Sequence, residues 1–424
     1  MKIALITSFP PSRQGLNEYG FHVAEQLRQE RCVDLTVLGD YLPTPGDELP
    51  GFKVDRCWGF GRSASIATLV RAIWQLKPDV AWFNLGFASF GDRPLPAVLG
   101  LLAPAAARLI GVYSHVTLHQ LFETVDLDDA AVSSPRLYRA GGWLATHLLL
   151  SANSLSVLMP AYRRTLDEKY RRGRVSVKSH GIFAGRPDPP DFTRRGNPTH
   201  RILAFGKWGT YKRLELMIEA FNRVATKFPN VELVIGGGDH PKTAGYVQSM
   251  AQQHANDRIH FLGYVPEGAI ADLFREASLA VMPYTSSAGS SGVAHLAAQY
   301  GVPVIASGIR DFRDLAEHEG IAMRFFTPAD PGSLVEQMLL ALNSPDQLKE
   351  MAWQSYAAGV AMSMPQVVRE YIRSFRQQER LKTLQLAADL RRAGQFQRKQ
   401  RLARTVGERI QKWQDEDEIT TPTA

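Results

Sequence analysis

The sequence predicts an α/β protein built on two parallel sheets. Three observations carry that prediction. Short apolar runs recur along the chain, separated by longer stretches of helical period. Runs without polar alternation belong to strands covered on both faces, the condition of a parallel sheet. The series pauses at a proline-rich segment, 184–199, and restarts after it. Finally, 45% hydrophobic and 21% charged residues over 424 positions supply enough apolar surface for more than one core.

In chain order, the first series of strands is expected at Ile3–Thr7, Leu35–Leu38, Val80–Asn84, Gly111–His119 and Val175–Ser179. The second series is expected at Ile202–Phe205, Val231–Ile235, Ile259–Leu262, Leu279–Pro283 and Val302–Ala306. These divide the chain into an N-terminal Rossmann-like domain at 1–184, a linker at 185–199 and a second Rossmann-like domain at 200–360. The linker is marked by Pro187, Pro189, Pro190 and Pro198. Two such domains would face each other across a cleft at the carboxyl ends of their strands, where open α/β sheets bind ligands. A helix at 361–376 would cross back to the first domain.

A basic amphipathic tail is expected at 377–424. Leu381, Leu384 and Ala388 keep helical spacing, and Leu402, Val406, Ile410 and Trp413 do so again. The net charge of +7 is not evenly spread along the chain. The segment 376–412 holds 11 Lys/Arg against 3 Asp/Glu, and four acids follow at Asp415–Glu418. The body is therefore close to neutral, which argues against a nucleic-acid partner. Three readings of the tail stand open: a solvated extension, self-association through its apolar stripe, and contact with an anionic membrane surface.

Other classes are excluded on composition. Cys32 and Cys57 form neither a disulfide framework nor a zinc set, and both are expected in a core. The opening Met1–Thr7 reads as a buried first strand rather than a signal segment, because it is short and ends at Pro10-Pro11. The longest apolar stretch, Ala97–Tyr113, is broken by Pro104 and Arg108. A cytoplasmic protein is expected, with a place at the inner face of a membrane left open for the tail.

The residues that carry chemistry lie at strand exits. Gly15, between the first strand and a helix near Tyr19–Gln29, would let the backbone approach an anion at the helix N-terminus. It reads equally as a plain strand–helix turn. Phe205-Gly206-Lys207-Trp208-Gly209-Thr210-Tyr211-Lys212-Arg213 joins a strand to the helix Leu214–Phe228. Glycines and ammonium groups meeting a helix N-terminus suit a diphosphate. The spacing is not that of a P-loop, and a solvated basic turn is the bland alternative.

A second anion nest is expected at Ser286–Gly292, where small residues expose several N–H groups. Gly236-Gly237-Gly238-Asp239 lacks the third glycine of a dinucleotide fingerprint and reads as a tight strand exit. His119 and His180 each close an apolar run, so both belong at a strand's carboxyl end, as core histidines or as site residues. Asp126-Leu-Asp-Asp129 has no partner ligands nearby in sequence and reads as a solvated loop.

Together these segments resemble the GT-B-fold, family 4-like retaining glycosyltransferases (glycosyl transferases group 1), from Met1 to about Phe375. Val116-Thr-Leu-His119, Val177-Lys-Ser-His-Gly-Ile182, Gly206-Lys207 with Lys212, and above all Gly301-Val-Pro-Val-Ile-Ala-Ser307 carry the resemblance. It implies an N-terminal acceptor domain, a C-terminal donor domain, and transfer of a glucose- or mannose-type hexose from a nucleoside-diphosphate sugar to a glycan or lipid-linked acceptor. Bacterial polysaccharide or glycolipid synthesis is the expected setting.

The resemblance gives catalytic roles to His119, Lys207 and Lys212. Donor contacts are expected from Gly15, His180, Gly206, Tyr264, Val265, Gly289, Ser290, Ser291, Gly292 and Val293, with no metal or other cofactor. The family's two glutamates, eight residues apart, align with Ala288 and Leu296, so neither is present. That departure keeps a second reading open: a nucleotide- or glycan-binding protein without turnover.

Overall fold

The computed structural model describes the chain except residues 13, 43–47, 125–134, 171–174, 196–199, 241–242, 287–289, 393–403, 412 and 414–424. It packs as two compact units, Met1–Val116 with 365–424, and Thr117–Met364. The strands are β1 (Lys2–Ile6), β2 (Asp34–Asp40), β3 (Val54–Trp58), β4 (Val80–Leu85), β5 (Tyr113–Leu118), β6 (Ser154–Val157) and β7 (Val175–Val177), then β8 (Arg201–Phe205), β9 (Glu232–Gly236), β10 (Ile259–Gly263), β11 (Leu279–Met282), β12 (Val304–Ser307) and β13 (Met323–Phe326). The first seven form one sheet in the order β3-β2-β1-β4-β5-β6-β7, and the last six another in the order β10-β9-β8-β11-β12-β13.

The helices of the first half are α1 (Asn17–Gln29), α2 (Ser65–Leu76), α3 (Pro94–Leu101), α4 (Ala103–Leu109), α5 (Pro135–Leu150) and α6 (Pro160–Tyr170). Those of the second half are α7 (Leu214–Ala225), α8 (Tyr246–His254), α9 (Glu267–Glu276), α10 (Gly292–Gln299), α11 (Arg310–Glu319), α12 (Pro331–Leu342), α13 (Pro345–Ala361) and α14 (Met364–Arg392). Among the described residues no helix is long and apolar enough to cross a membrane. The stretch Ala97–Tyr113 folds instead as α3, α4 and the start of β5.

Every expected strand is present, and β3, β6 and β13 are additional. Their sequences explain why they are hard to read. β3 carries Asp55 and Arg56 at a sheet edge, β6 is four residues with two serines, and β13 carries Arg324. Cys57 is buried, but Cys32 is only half-buried, which corrects the expectation that both lie in a core; both are free thiols.

In the unit of Met1–Val116, β1 pairs in parallel with β2 and β4, and β4 is buried along its whole length. α14 belongs to this unit and runs unbroken through residue 376, where the basic segment begins. Its Tyr371 ring lies 4.4 Å from that of Trp82, and Phe375 lies 5.4 Å from Trp82 and 5.1 Å from His115. These rings make α14 part of the core rather than an appendage.

In the second sheet the side chains alternate between two cores. Ile202, Ala204, Leu233, Ile235, Leu279 and Val281 point to the face covered by Met217, Phe221 and Met338. Leu203, Val234, Ala280, Met282, Val304 and Ala306 point to the face covered by Phe274, Ala298 and Phe312. Period-two alternation with both sides apolar is why the sequence shows unbroken hydrophobic runs. The alanines of α10 allow close packing on α13: a Cβ on Gly359 would sit 2.8 Å from the carbonyl oxygen of Ala298.

Both sheets have a topological switch point, between β1 and β4 in one and between β8 and β11 in the other. The loops leaving β8 and β11 flank the second of these. As a test of the core, Tyr371→Ala should destabilise the chain by ~3–5 kcal/mol, the range for truncating a fully buried aromatic. The check is a lowered denaturation midpoint followed by tryptophan fluorescence, since Trp82 lies against this ring.

Candidate active site

The loop leaving β8 is shaped by glycine. Gly206 has φ +141° and Gly237 has φ +104°, both in the region that L-side chains avoid. A Cβ on Gly237 would lie 1.9 Å from the Gly206 carbonyl oxygen, so these two backbone segments cross in contact. Trp208 Nε1–H donates to the Gly236 carbonyl at 3.0 Å, and the Gly237 N–H donates to the Gly263 carbonyl at 2.7 Å. The exits of β8, β9 and β10 are thereby stitched together. Asp239 accepts from the amides of Gly245 and Val247 at the start of α8. The glycine run 236–238 therefore serves as the tight strand exit read from the sequence.

Residues Thr210–Lys212 form a single 3₁₀ turn that carries Lys212 inward. Lys212 is 8% exposed, and its Nζ lies 4.7 Å from the centroid of the Tyr284 ring, just after β11. The Thr285 N–H donates to the Tyr211 carbonyl at 2.8 Å, tying the two loops of the switch point to each other. A Cβ on Gly206 would fall 2.6 Å from Lys212 Nζ and 3.6 Å from both Tyr284 Oη and the Val293 side chain. Lys212, Gly206 and the first turn of α10 thus share one small volume.

Among the described residues, Lys212 has no carboxylate within ion-pair distance. Burial first, and the charge of Lys207 second, bring its ammonium down to a pKa of about 8. An uncompensated buried cation is costly, and it is most simply explained by an anion that supplies the missing charge. Lys207 itself is exposed.

α10 faces the same volume. Ser291 is its N-cap, and its side chain accepts from the Ala294 N–H. The amides at the start of the helix present partial positive charge. Ser290 Oγ is buried with no hydrogen-bond partner among the described residues. Gly289, named from the sequence as a donor contact, lies outside the described residues, as does Ala288. Tyr264 is 82% exposed beyond β10, and Val265 is half-buried against the core that holds Ala294.

His119 and His180 come together as two buried rings with centroids 6.0 Å apart. Burial and the neighbouring His180 hold His119 well below the usual histidine range. Burial and the neighbouring His295 bring His180 down to about 3. His295, to which the sequence assigns no role, lies 4.6 Å from His180, and its Nε2 is 2.7 Å from Glu319 Oε2. Neither Glu319 nor Tyr284 is marked by any motif. Glu319 ends α11 in an acidic run that reads as a solvated helix end.

Gly15 lies in the loop after β1, in the unit of Met1–Val116, with φ +46°. Asp40, at the end of β2, holds that loop: it accepts from the Phe9 N–H at 3.1 Å and from Ser12 Oγ. Arg56 donates to the carbonyls of Phe9 and Pro10. Among the described residues no group of three His, Cys, Asp or Glu is arranged to hold a metal ion.

Residues 199–344 match the family described as Glycosyl transferases group 1. They form a group 1 glycosyltransferase domain. Lys212, Gly206 and α10 all lie within this glycosyltransferase domain, as do His295 and Glu319; His119 and His180 precede it. Solved structures agree on the fold. Sucrose-phosphate synthase from Thermosynechococcus elongatus is similar with 16% identity and a TM-score of 0.65, over 89% of this chain and 98% of that one. HepE of Anabaena, in complex with UDP, gives 14% and 0.66 over 89% and 100%. A glycosyltransferase from Rickettsia africae gives 13% and 0.65 over 89% and 98%. No curated protein sequence matches. The fold is that of the GT-B glycosyltransferases, an α/β chain with parallel sheets of seven and six strands.

The depressed Lys212 gives two linked expectations. Its folded proton affinity is below that of the unfolded chain. The unfolded state therefore binds more protons between pH about 8 and the ordinary 10.5, and ligand-free stability rises with pH across that window. The penalty, on the order of 3 kcal/mol for a shift of this size, is fully present below about pH 8. Lys212→Met should raise the melting temperature of the ligand-free protein near neutral pH. The same variant should lose any thermal shift with nucleoside diphosphates, and wild-type affinity for them should fall as pH rises above about 8.

Proposed function

We propose that this chain transfers a hexose of glucose or mannose type from a nucleoside-diphosphate sugar to an acceptor hydroxyl, with retention at the anomeric carbon. The observation that carries this reading is the buried, uncompensated Lys212 beside the first turn of α10. As the glycosidic bond breaks, the departing diphosphate gains charge. In this reading the Lys212 ammonium and the amides of Gly292 and Val293 stabilise it, with Lys207 adding charge from solvent. Gly206 supplies the side-chain-free surface on which a phosphate can approach.

His119 and His180 are both neutral by burial. Neutral imidazoles orient sugar hydroxyls without adding charge, and we assign them to the donor sugar. Tyr264, Val265, Gly289, Ser290 and Ser291 complete the proposed donor contacts. The reaction needs no metal in this proposal, because the lysines and helix amides meet the diphosphate charge. A glycan or lipid-linked acceptor in bacterial polysaccharide or glycolipid synthesis is our reading of the partner.

The Anabaena protein is also known in complex with UDP and glucose and in complex with UDP-glucose. This makes a uridine donor the first to try. One observation favours binding without turnover: Leu296, aligned with a family glutamate, is packed against the apolar core. A ribose-binding carboxylate is therefore missing from α10 at that place.

Thermal shift against UDP, GDP, ADP and dTDP separates these readings when paired with turnover of the matching sugar donors. Ligand at ~100 times its dissociation constant stabilises by ~2.7 kcal/mol, which is readily seen. We expect a shift with one nucleotide and turnover with its sugar, unaffected by EDTA. Lys212→Ala should lower kcat/KM by an amount equivalent to ~3–4 kcal/mol, as for a lost oxyanion donor. A shift without turnover selects the binding reading, and unchanged turnover in Lys212→Ala removes that residue from the mechanism.

A further inference from the structure

Glu319 is buried where no motif predicts a carboxylate: its side chain is 0% exposed and that of His295 is 4% exposed. The hydrogen-bond geometry fixes the protons. His295 Nδ1 lies 2.7 Å from the Ser291 carbonyl oxygen, which can only accept, so Nδ1 carries a hydrogen. His295 Nε2 lies 2.7 Å from Glu319 Oε2. With an ionised Glu319, both ring nitrogens donate and His295 is an imidazolium. Burial opposes that charge, but the charge and hydrogen bond of Glu319 with the Ser291 carbonyl outweigh it, so His295 is raised. Burial also opposes the Glu319 carboxylate, and His295 outweighs it in turn.

The pair joins three segments. Ser291 is the N-cap of α10, and its carbonyl receives both the ring and the backbone N–H of His295. Glu319 is the last residue of α11, before Gly320 in the left-handed conformation. Its second oxygen, Oε1, accepts from the His180 N–H at 3.4 Å. His180 donates through Nδ1 to its neighbouring Gly181 carbonyl at 2.9 Å; burial and the charge of His295, not this bond, keep the ring neutral, and it lies tilted 39° to His295. His119 stands edge-on to His180 at 88°.

We propose that Glu319 is a positioning residue: through an ion pair with His295 it fixes the anion-facing first turn of α10 and the His180 backbone in one register. The assignment of a ligand to that turn rests on the transferase reading above, whereas the ion pair itself does not. The glutamate thereby serves α10 from a neighbouring helix, in a helix that lacks a carboxylate at Leu296. The titratable groups facing the pair are His180, from the segment after β7, and beyond it His119, from the end of β5.

The test uses the full-length protein with 15N-labelled histidine, and compares wild type with Glu319→Gln and His295→Gln. In wild type near neutral pH, His295 should show the side-chain nitrogen shifts of an imidazolium, while His119 and His180 show neutral rings. In Glu319→Gln the imidazolium signature should vanish. Amide hydrogen exchange at 291–295 and 180–182 should rise about tenfold or more, with exchange in α7 unchanged as the control for global unfolding. His295→Gln should show the same local loosening, and nucleoside-diphosphate affinity should fall about tenfold in both variants.

A neutral His295 in wild type, or unchanged exchange at 291–295 in Glu319→Gln, overturns the proposal. If wild type binds no nucleoside diphosphate, the transferase reading fails. The nitrogen shifts and local exchange still decide whether Glu319 positions α10.

Discussion

Parallel pairing is the constraint on which the rest depends. A parallel strand must be followed by a crossover, so all strands of a sheet end at the same edge. In the sheet β10-β9-β8-β11-β12-β13 the connections diverge between β8 and β11. The loops leaving those two strands therefore have a gap between them with no crossover above it. Lys212 descends into that place from one side, and Tyr284 and α10 bound it from the other. Both faces of the sheet must be apolar for this to hold, and the alternation of β8 and β11 between two cores supplies that.

Within that frame, the buried Lys212 works against local stability. An ammonium buried without a carboxylate disfavours the ligand-free fold, and the surrounding cores are large enough to tolerate it. Gly206 and Gly237 carry a related constraint in the backbone: each occupies a conformation open chiefly to glycine, and they touch. What results is a buried ammonium beside glycine backbone and a helix N-terminus, made without a recognisable phosphate-loop sequence. Arg195 supports the far end of α10 by donating to the carbonyls of Tyr300 and Gly301. One end of that helix is thus held by a linker arginine and the other by the His295–Glu319 pair.

The histidines show where one-dimensional reading stops. His119 and His180 are visible in the sequence because each closes an apolar run, and a strand end is a local property. That their rings lie 6.0 Å apart follows from folding alone. His295 is visible only as one residue away from a vacant family position, and Glu319 is not visible at all. Their pairing is set by how α10 and α11 pack, and no spacing along the chain encodes the angle between two helices. Asp40 is a similar case: an acid at a strand end, which proves to organise the loop that carries Gly15.

The sequence by itself determined the α/β class, the parallel character of both sheets, the strand exits where chemistry gathers, and the ammonium–glycine–helix combination at 206–213. Each of these is written in local composition or in a short period, because strand burial and loop conformation are decided within a few residues. The edge strands β3 and β13 escaped because one-sided or partial burial permits polar residues such as Arg56 and Arg324. Only the tertiary structure decided that Lys212 is buried without a counter-charge, that Tyr284 lies beneath it, and that Glu319 meets His295. Those are relations between segments far apart in the chain. Their energies arise from desolvation and direct contact, which do not exist until the segments are packed together.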